Sequence, residues 1–304
     1  MFWMGRYIER AADVTRMLDV AYHAQLERSP ELADQVWRDL LRVLYLEERY
    51  RELFDDEMTT ANMNQLVVFD KEAPSSVWTS VSEARTNVMN LRDAVPSELL
   101  EAVNRLYTRL ASGSMVKFVD NPHELYDTLS GHCRGIAGAI TETMSREDQY
   151  RFLALGRLLE RAEMTCRMID VNRSSDDVAT WMSVLRSVSG FHGFIRSQGP
   201  LAPARDVVAY MLQEPSFPFG VLYCLERCRA LLDAVAGAGT WTSPRALGRV
   251  KAELEYAEVP EVASPALGEL LESLEKGIRA VSTALRKDLY QFGGDPSVYS
   301  FEAI

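Results

Sequence analysis

The chain has 304 residues, a formal net charge of −11 at pH 7 and an apolar fraction of 47%. That length can bury a large core in one or two domains, and the acidic balance argues against nucleic acid or an anionic membrane as a partner, because both demand a basic face. No run reaches the ~18 apolar residues of a membrane-crossing helix, the N-terminus MFWMGRYIER lacks the basic-then-apolar order of a secretory leader, and Cys133, Cys166, Cys224 and Cys228 form no CxxC pair, which fits a reduced, cytoplasmic protein.

Helical periodicity dominates and strand alternation is nearly absent. A first helix spans 2–28 and ends near Ser29-Pro30. A second covers 31–54, with Val36, Trp37, Leu40, Leu41, Leu44 and Tyr45 at core spacing. A short apolar piece, Met63 to Phe69, leads to Pro74. Helices follow over 75–92 and from Pro96 to about Ala111, then a loop at Ser112-Gly113-Ser114. Asn121-Pro122 opens a helix to about Met144. Its Gly131, Gly135 and Gly138 mark either a thin face open to close helix approach or a locally weak helix. Ser145 reads as the cap of the next helix, which runs to about Arg173. Further helices cover 177–196, 203–213, Pro218 to the Gly237-Ala238-Gly239 turn, 244–257 and 264–290. That Gly-x-Gly follows a helix rather than a strand, so it is not a nucleotide-binding loop. The tail from Gly293 reads as irregular.

One stretch occurs twice. Residues 4–20, MGRYIERAADVTRMLDV, align without a gap on residues 155–171, LGRLLERAEMTCRMIDV, with nine identities in seventeen positions. Trp37 with Leu41-Arg42 matches Trp181 with Leu185-Arg186, and Pro74, Val77 and Arg85 match Pro218, Val221 and Arg229, now at an offset of 144. Three anchors in the same order point to an internal duplication. The expectation is an all-α fold: a bundle of about ten helices built from two duplicated halves with pseudo-twofold symmetry. It forms one domain over 1–304, with half-repeats about 1–120 and 121–290 and a tail 291–304. Each repeated helix would be central in its half.

On a helical wheel Arg6, Glu9, Arg10 and Arg16 share one arc, and Arg157, Glu160, Arg161 and Arg167 repeat it. A solvated face drifts freely between copies; this one keeps residue identity, which implies contacts. Glu9 can pair with Arg6 or Arg16, and Glu160 with Arg157 or Arg167. Two readings stand. The clusters line a cleft between the halves and bind an anionic group, for which the guanidinium fork is suited; or they are ion pairs that lock helix to helix, where losing one buried partner costs about 3–5 kcal/mol. Arg outnumbers Lys 28 to 5, which fits the first reading or simply a GC-rich genome. Arg85 and Arg229, two turns into their helices, either join these clusters or pair locally. As an enzyme the chain would use Glu9 and Glu160 as acid/base groups, but neighbouring arginines lower a carboxylate's pKa and make it a poor base near neutral pH. His23, His123, His132 and His192 include no Glu-x-x-His, and no HExxH or Gly-x-Ser-x-Gly occurs. No metal site or cofactor is expected.

FWMGRYIERAADVTRMLDV and YRFLALGRLLERAEMTCRMIDV resemble the alpha-E domain family, a bacterial all-helical family named for its Glu-Arg motif. Met144-Ser145-Arg146 and Pro74–Val77 resemble it too, and the likeness covers nearly the whole chain. It carries the motif onto Glu9-Arg10 and Glu160-Arg161. Family members usually have several residues before the Phe-Trp-Met-Gly segment, so the resemblance implies a first helix short by a turn or two. It also implies association with circularly permuted ATP-grasp ligases, beside or fused to which such chains are encoded, and with transglutaminase-like proteins. The function implied is that of a helical partner or substrate-binding component in ATP-dependent amide or peptide bond formation. An enzyme in its own right, a scaffold and a homo-oligomer stay open.

Overall fold

The structure is a computed structural model that describes residues 1–55, 57–113, 121–200, 202–235 and 240–292. Among these residues lie fourteen α-helices and no strand. The all-α expectation holds, while the count exceeds ten. The expected Ser112-Gly113-Ser114 loop is described only to Gly113, and the Gly237-Ala238-Gly239 turn and the tail from Gly293 lie outside the described residues. The chain divides into two compact units, one of residues 4–150 and one of residues 151–304 with Met1–Trp3.

The first unit takes most of α1 (Phe2–Leu26), then α2 (Pro30–Leu44), α3 (Glu47–Phe54), α4 (Thr60–Asn64), α5 (Val77–Asn90), α6 (Ser97–Ala111) and α7 (Pro122–Thr143). A π-helical turn, Gln65–Phe69, continues α4. Its Leu66, Val67 and Val68 are three consecutive buried residues, while Gln65 is exposed, a wider buried face than the single stripe of a surface helix. Leu99, Val103, Leu106 and Leu110 form the buried stripe of α6, each contributing about 1.5–3 kcal/mol by leaving water. Helix α6 packs against both α5 and α7. Ser76 starts α5: its Oγ accepts the Thr79 N–H at 3.0 Å and donates to the Asp70 carbonyl at 2.6 Å.

The second unit holds α8 (Asp148–Asn172, from Arg151), α9 (Val178–Ser187), α10 (Phe191–Gln198), α11 (Ala204–Gln213), α12 (Val221–Ala234), α13 (Ser243–Glu255) and α14 (Pro265–Phe292). Helices α13 and α14 lie tightly together. At Gly277 a Cβ would come within 2.7 Å of Val250 Cγ2, so this crossing needs glycine. Asp288 of α14 caps α13 from outside: its carboxylate accepts the Thr242 N–H at 2.8 Å, the Thr242 hydroxyl at 2.9 Å and the Ser243 N–H at 2.7 Å.

Three expectations change. Residues 31–54 are two helices, because Tyr45 takes φ 56 in the left-handed region and ends α2. Residues 177–196 are two helices for the same reason, with Ser189 at φ 56. Ser145 is not the cap of α8, which starts at Asp148. Arg146 instead donates to the carbonyls of Ile140, Thr141 and Met144, closing the C-terminal end of α7. As for the glycines of α7, no atom lies within 4 Å of a Cβ built at Gly131, Gly135 or Gly138. Gly131 and Gly135 border an open cleft of about 310 Å³, together with Glu98, Glu101, Arg105 and His132.

Three stretches of elements recur at one offset. Adding 144 carries α3 onto α10, α4 with its π turn onto α11, and α5 onto α12, each with the same length. The two helix breaks share one hydrogen-bond pattern. Tyr45 and Leu46 donate to the carbonyls of Arg42 and Leu41 at 3.1 and 2.9 Å; Ser189 and Gly190 donate to those of Arg186 and Leu185 at 2.9 and 2.7 Å. Both are Schellman closures. Trp37 and Trp181, at the same offset, are both buried.

Candidate functional site

Helices α1 and α8 carry the charged arcs, and neither behaves as a surface helix. No residue of α1 from Phe2 to Tyr22 is exposed, and none of α8 from Asp148 to Ile169. Glu9 is 1% exposed and Glu160 0%; Arg6, at 7%, is also buried. Arg10, Arg16, Arg157, Arg161 and Arg167 are partly covered. A carboxylate taken this far from water requires compensating charge and hydrogen bonds. The polar arcs legible on the wheel are therefore enclosed.

Two ion pairs along these helices use acids outside the repeated Glu-Arg pairs. Arg16 Nη1 meets Asp13 Oδ1 at 3.1 Å, with Asp13 buried. Arg167 Nη2 meets Glu163 Oε1 at 3.5 Å, with Glu163 buried. The arginine is common to both copies, but its acid sits three residues back in α1 and four back in α8. Both spacings share a helix face. Thr15 turns its hydroxyl back to the Ala11 carbonyl at 2.7 Å. Glu275 of α14 stands in the electrostatic reach of Arg167. Burial raises its carboxyl, Arg167 and Arg279 oppose this, and Glu163 adds to it; the net shift is upward. Arg279 Nη1 binds it at 3.2 Å.

Arg161 works across helices. Its Nη1 donates to the Pro218 carbonyl at 2.9 Å, and its guanidinium stacks 4.0 Å over the Phe219 ring. One turn on, the Thr165 hydroxyl donates to the Phe219 carbonyl at 3.1 Å. Helix α8 thus holds the strap Pro218-Phe219 that leads into α12. Arg10 lies 5.7 Å from the Tyr7 ring on its own helix. Arg85 and Arg229 join neither cluster. Arg85 donates to Asn104 Oδ1 at 2.9 Å and covers the Tyr107 ring at 4.3 Å, both on α6. Arg229 pairs with Asp233 at 2.8 Å on the exposed side of α12.

The thiols are placed poorly for nucleophilic chemistry. All four are free and buried. Burial pushes Cys133 up to about 12, and pushes Cys166 and Cys228 well above the ordinary thiol range. Among the described residues no group of three or more His, Cys, Asp or Glu side chains that could hold a metal ion is found, and no helix is long and apolar enough to cross a membrane.

Asp13, Glu163, Thr165, Phe219 and Glu275 are the residues that the sequence reading passed over. Asp13 and Glu163 carried a signal, since each lies one turn before a repeated arginine. Alignment of the copies hid them: Asp13 falls opposite Met164, and Glu163 opposite Ala12.

Fold and site together define an all-helical protein in which each unit contains an enclosed, charge-bearing helix with a buried glutamate followed by a partly covered arginine. The model of the Alpha-E family, described as a predicted alpha-helical domain with a conserved ER motif, matches residues 1–289, and the chain belongs to that family. Neither a curated protein nor a solved structure matches it.

Proposed function

We propose that this chain is a non-catalytic helical partner, or substrate-binding component, of an ATP-grasp-type amide or peptide ligase system. In this reading α1 and α8 are each the charged spine of their own unit. One observation carries the structural assignment: Arg161, of the second Glu-Arg pair, spends its guanidinium on the Pro218 carbonyl and the Phe219 ring. The ligase association rests on what the family resemblance implies. Recognition of the ligase or its acceptor falls to the surface around this spine. A second reading keeps an anionic group at the clusters, favoured by the partial exposure of Arg10, Arg157 and Arg161. We also infer that the two series of elements arose by duplication, supported by the shared bounds and the shared Schellman closures 144 residues apart.

Affinity capture of the tagged chain from its native cells, with and without ATP, tests the partner role by mass spectrometry. Recovery of an ATP-grasp ligase is the expected result. Recovery of the bait alone under both conditions contradicts it.

A further inference from the structure

Helices α6 and α7 border an open cleft of about 310 Å³ within the unit of residues 4–150. Glu98, Glu101 and Arg105 line it from α6, and Gly131, His132 and Gly135 from α7. Glu101 lies four residues before Arg105, the better order for a helical ion pair. Glu163–Arg167, Glu272–Lys276 and Glu275–Arg279 share that order and close at 3.5, 2.6 and 3.2 Å. Glu101 and Arg105 form no such pair among the described residues, and both stand exposed at the cleft. Burial, then Arg109 and Arg105, hold the His132 imidazole below its ordinary pKa, so the ring is neutral at pH 7 and stands in the field of Arg105. Glycine weakens a helix interior. A close crossing accounts for Gly277, whose Cβ would strike Val250. At Gly131 and Gly135 a Cβ would meet no atom within 4 Å, so packing within the chain does not call for glycine there. The two missing side chains give the cleft its depth.

We propose that this cleft binds a short peptide with free ends, two or three residues long, its carboxylate held by Arg105 and His132 and its ammonium by Glu98 and Glu101. The guanidinium fork takes a carboxylate through two parallel N–H donations, and a neutral imidazole adds a third. The two glutamates accept from an ammonium, which has three donors; the Ser97 hydroxyl already donates to Glu98 at 3.2 Å. By helical rise, Arg105 lies about 6 Å along α6 from Glu101 and about 10.5 Å from Glu98. An extended peptide advances about 3.3–3.6 Å per residue. A dipeptide therefore matches the shorter span and a tripeptide the longer. The cleft is at the small end of ligand pockets, which run from roughly 300 to 1,000 Å³.

The opposed poles exclude other small ligands. A dianion would meet Glu98 and Glu101, and a dication would meet Arg105; each leaves one pole unmatched. An internal segment of a protein carries neither end charge. The bare α7 backbone at Gly131 and Gly135 lets a peptide chain lie flat without meeting side chains. Making this peptide the acceptor of a ligase rests on the function proposed above, whereas the binding itself does not.

The test is calorimetric titration of the full chain with trialanine, beside trialanine amide, N-acetyl-trialanine and the peptide blocked at both ends. One trialanine per chain is expected to bind saturably, with either single block weakening it about tenfold or more. Arg105→Ala should weaken trialanine by a similar factor and leave the amide, which has no carboxylate to lose, almost unchanged. Gly135→Leu should abolish binding by filling the cleft while the variant melts at or above the wild-type temperature, because Gly135 is exposed and leucine is the better helix former. Arg229→Ala, on α12, should change nothing. Absence of saturable binding, equal binding of the doubly blocked peptide, or wild-type binding by folded Arg105→Ala and Gly135→Leu chains would overturn the proposal. Ligase capture and peptide titration are separate readouts, so either reading can fail alone.

Discussion

Arg161 shows why the second residue of the Glu-Arg pair is specified. Its planar fork reaches a backbone carbonyl while its face lies on an aromatic ring, a combination that a lysine ammonium does not reproduce. Arg161→Lys should cost about 1–3 kcal/mol in urea unfolding, with Arg161→Ala costing more because the Pro218 carbonyl also loses its donor. A second residue-scale prediction concerns acid. Burial raises the Asp288 carboxyl, but the donations from Thr242 and Ser243 outweigh it and the net shift is downward. A carboxylate depressed on folding stabilises the protein above its unfolded pKa, about 3.9, and that stability is lost as pH falls through the folded value. Asp288→Asn should therefore flatten the fall of unfolding free energy below about pH 4; an unaltered acid limb would argue that the cap is dispensable. At this scale the sequence exposed Glu9 and Glu160 because identity between copies marks them. It concealed Asp13 and Glu163, whose roles match although their positions do not.

At the scale of elements, the long helices were legible because their apolar spacing and proline or serine starts are local signals. Helix α5, for example, begins at Val77 just after Ser76, near the expected start. The breaks at Tyr45 and Ser189 were not legible. Left-handed residues at helix ends are usually glycine, and here neither is. What ends α2 and α9 is burial on both sides of the break, with Leu44, Leu46, Val188 and Phe194 inside. This is a tertiary effect with no local mark. Ser189 is exposed and strained, so Ser189→Gly should stabilise the protein by about 1 kcal/mol, read as a rise in the urea midpoint with unchanged slope. Gly277→Ala should act oppositely. Its Cβ would press on Val250 at the α13–α14 crossing, at a cost of about 1–3 kcal/mol. Equal stability of the alanine variant would show that the helices can separate without penalty.

Over the whole molecule, the repeat in the sequence led to the expectation that 4–20 and 155–171 are each central in their half, and the structure shows that neither α1 up to Tyr22 nor α8 up to Ile169 has an exposed residue. Helix periodicity could not reveal that the polar arcs are enclosed, since a wheel shows which residues share a face and not what covers it. The central claim is that the Glu-Arg helices hold the fold together, and that partner recognition lies on the surface around them. The most direct measurement is urea unfolding of Glu9→Gln and Glu160→Gln, paired with capture of the proposed ligase partner by each variant. The account predicts a loss on the order of 3–5 kcal/mol for each, or failure to fold, with capture falling only as far as the folded fraction falls. Wild-type stability together with lost capture would contradict it and make the clusters a binding site.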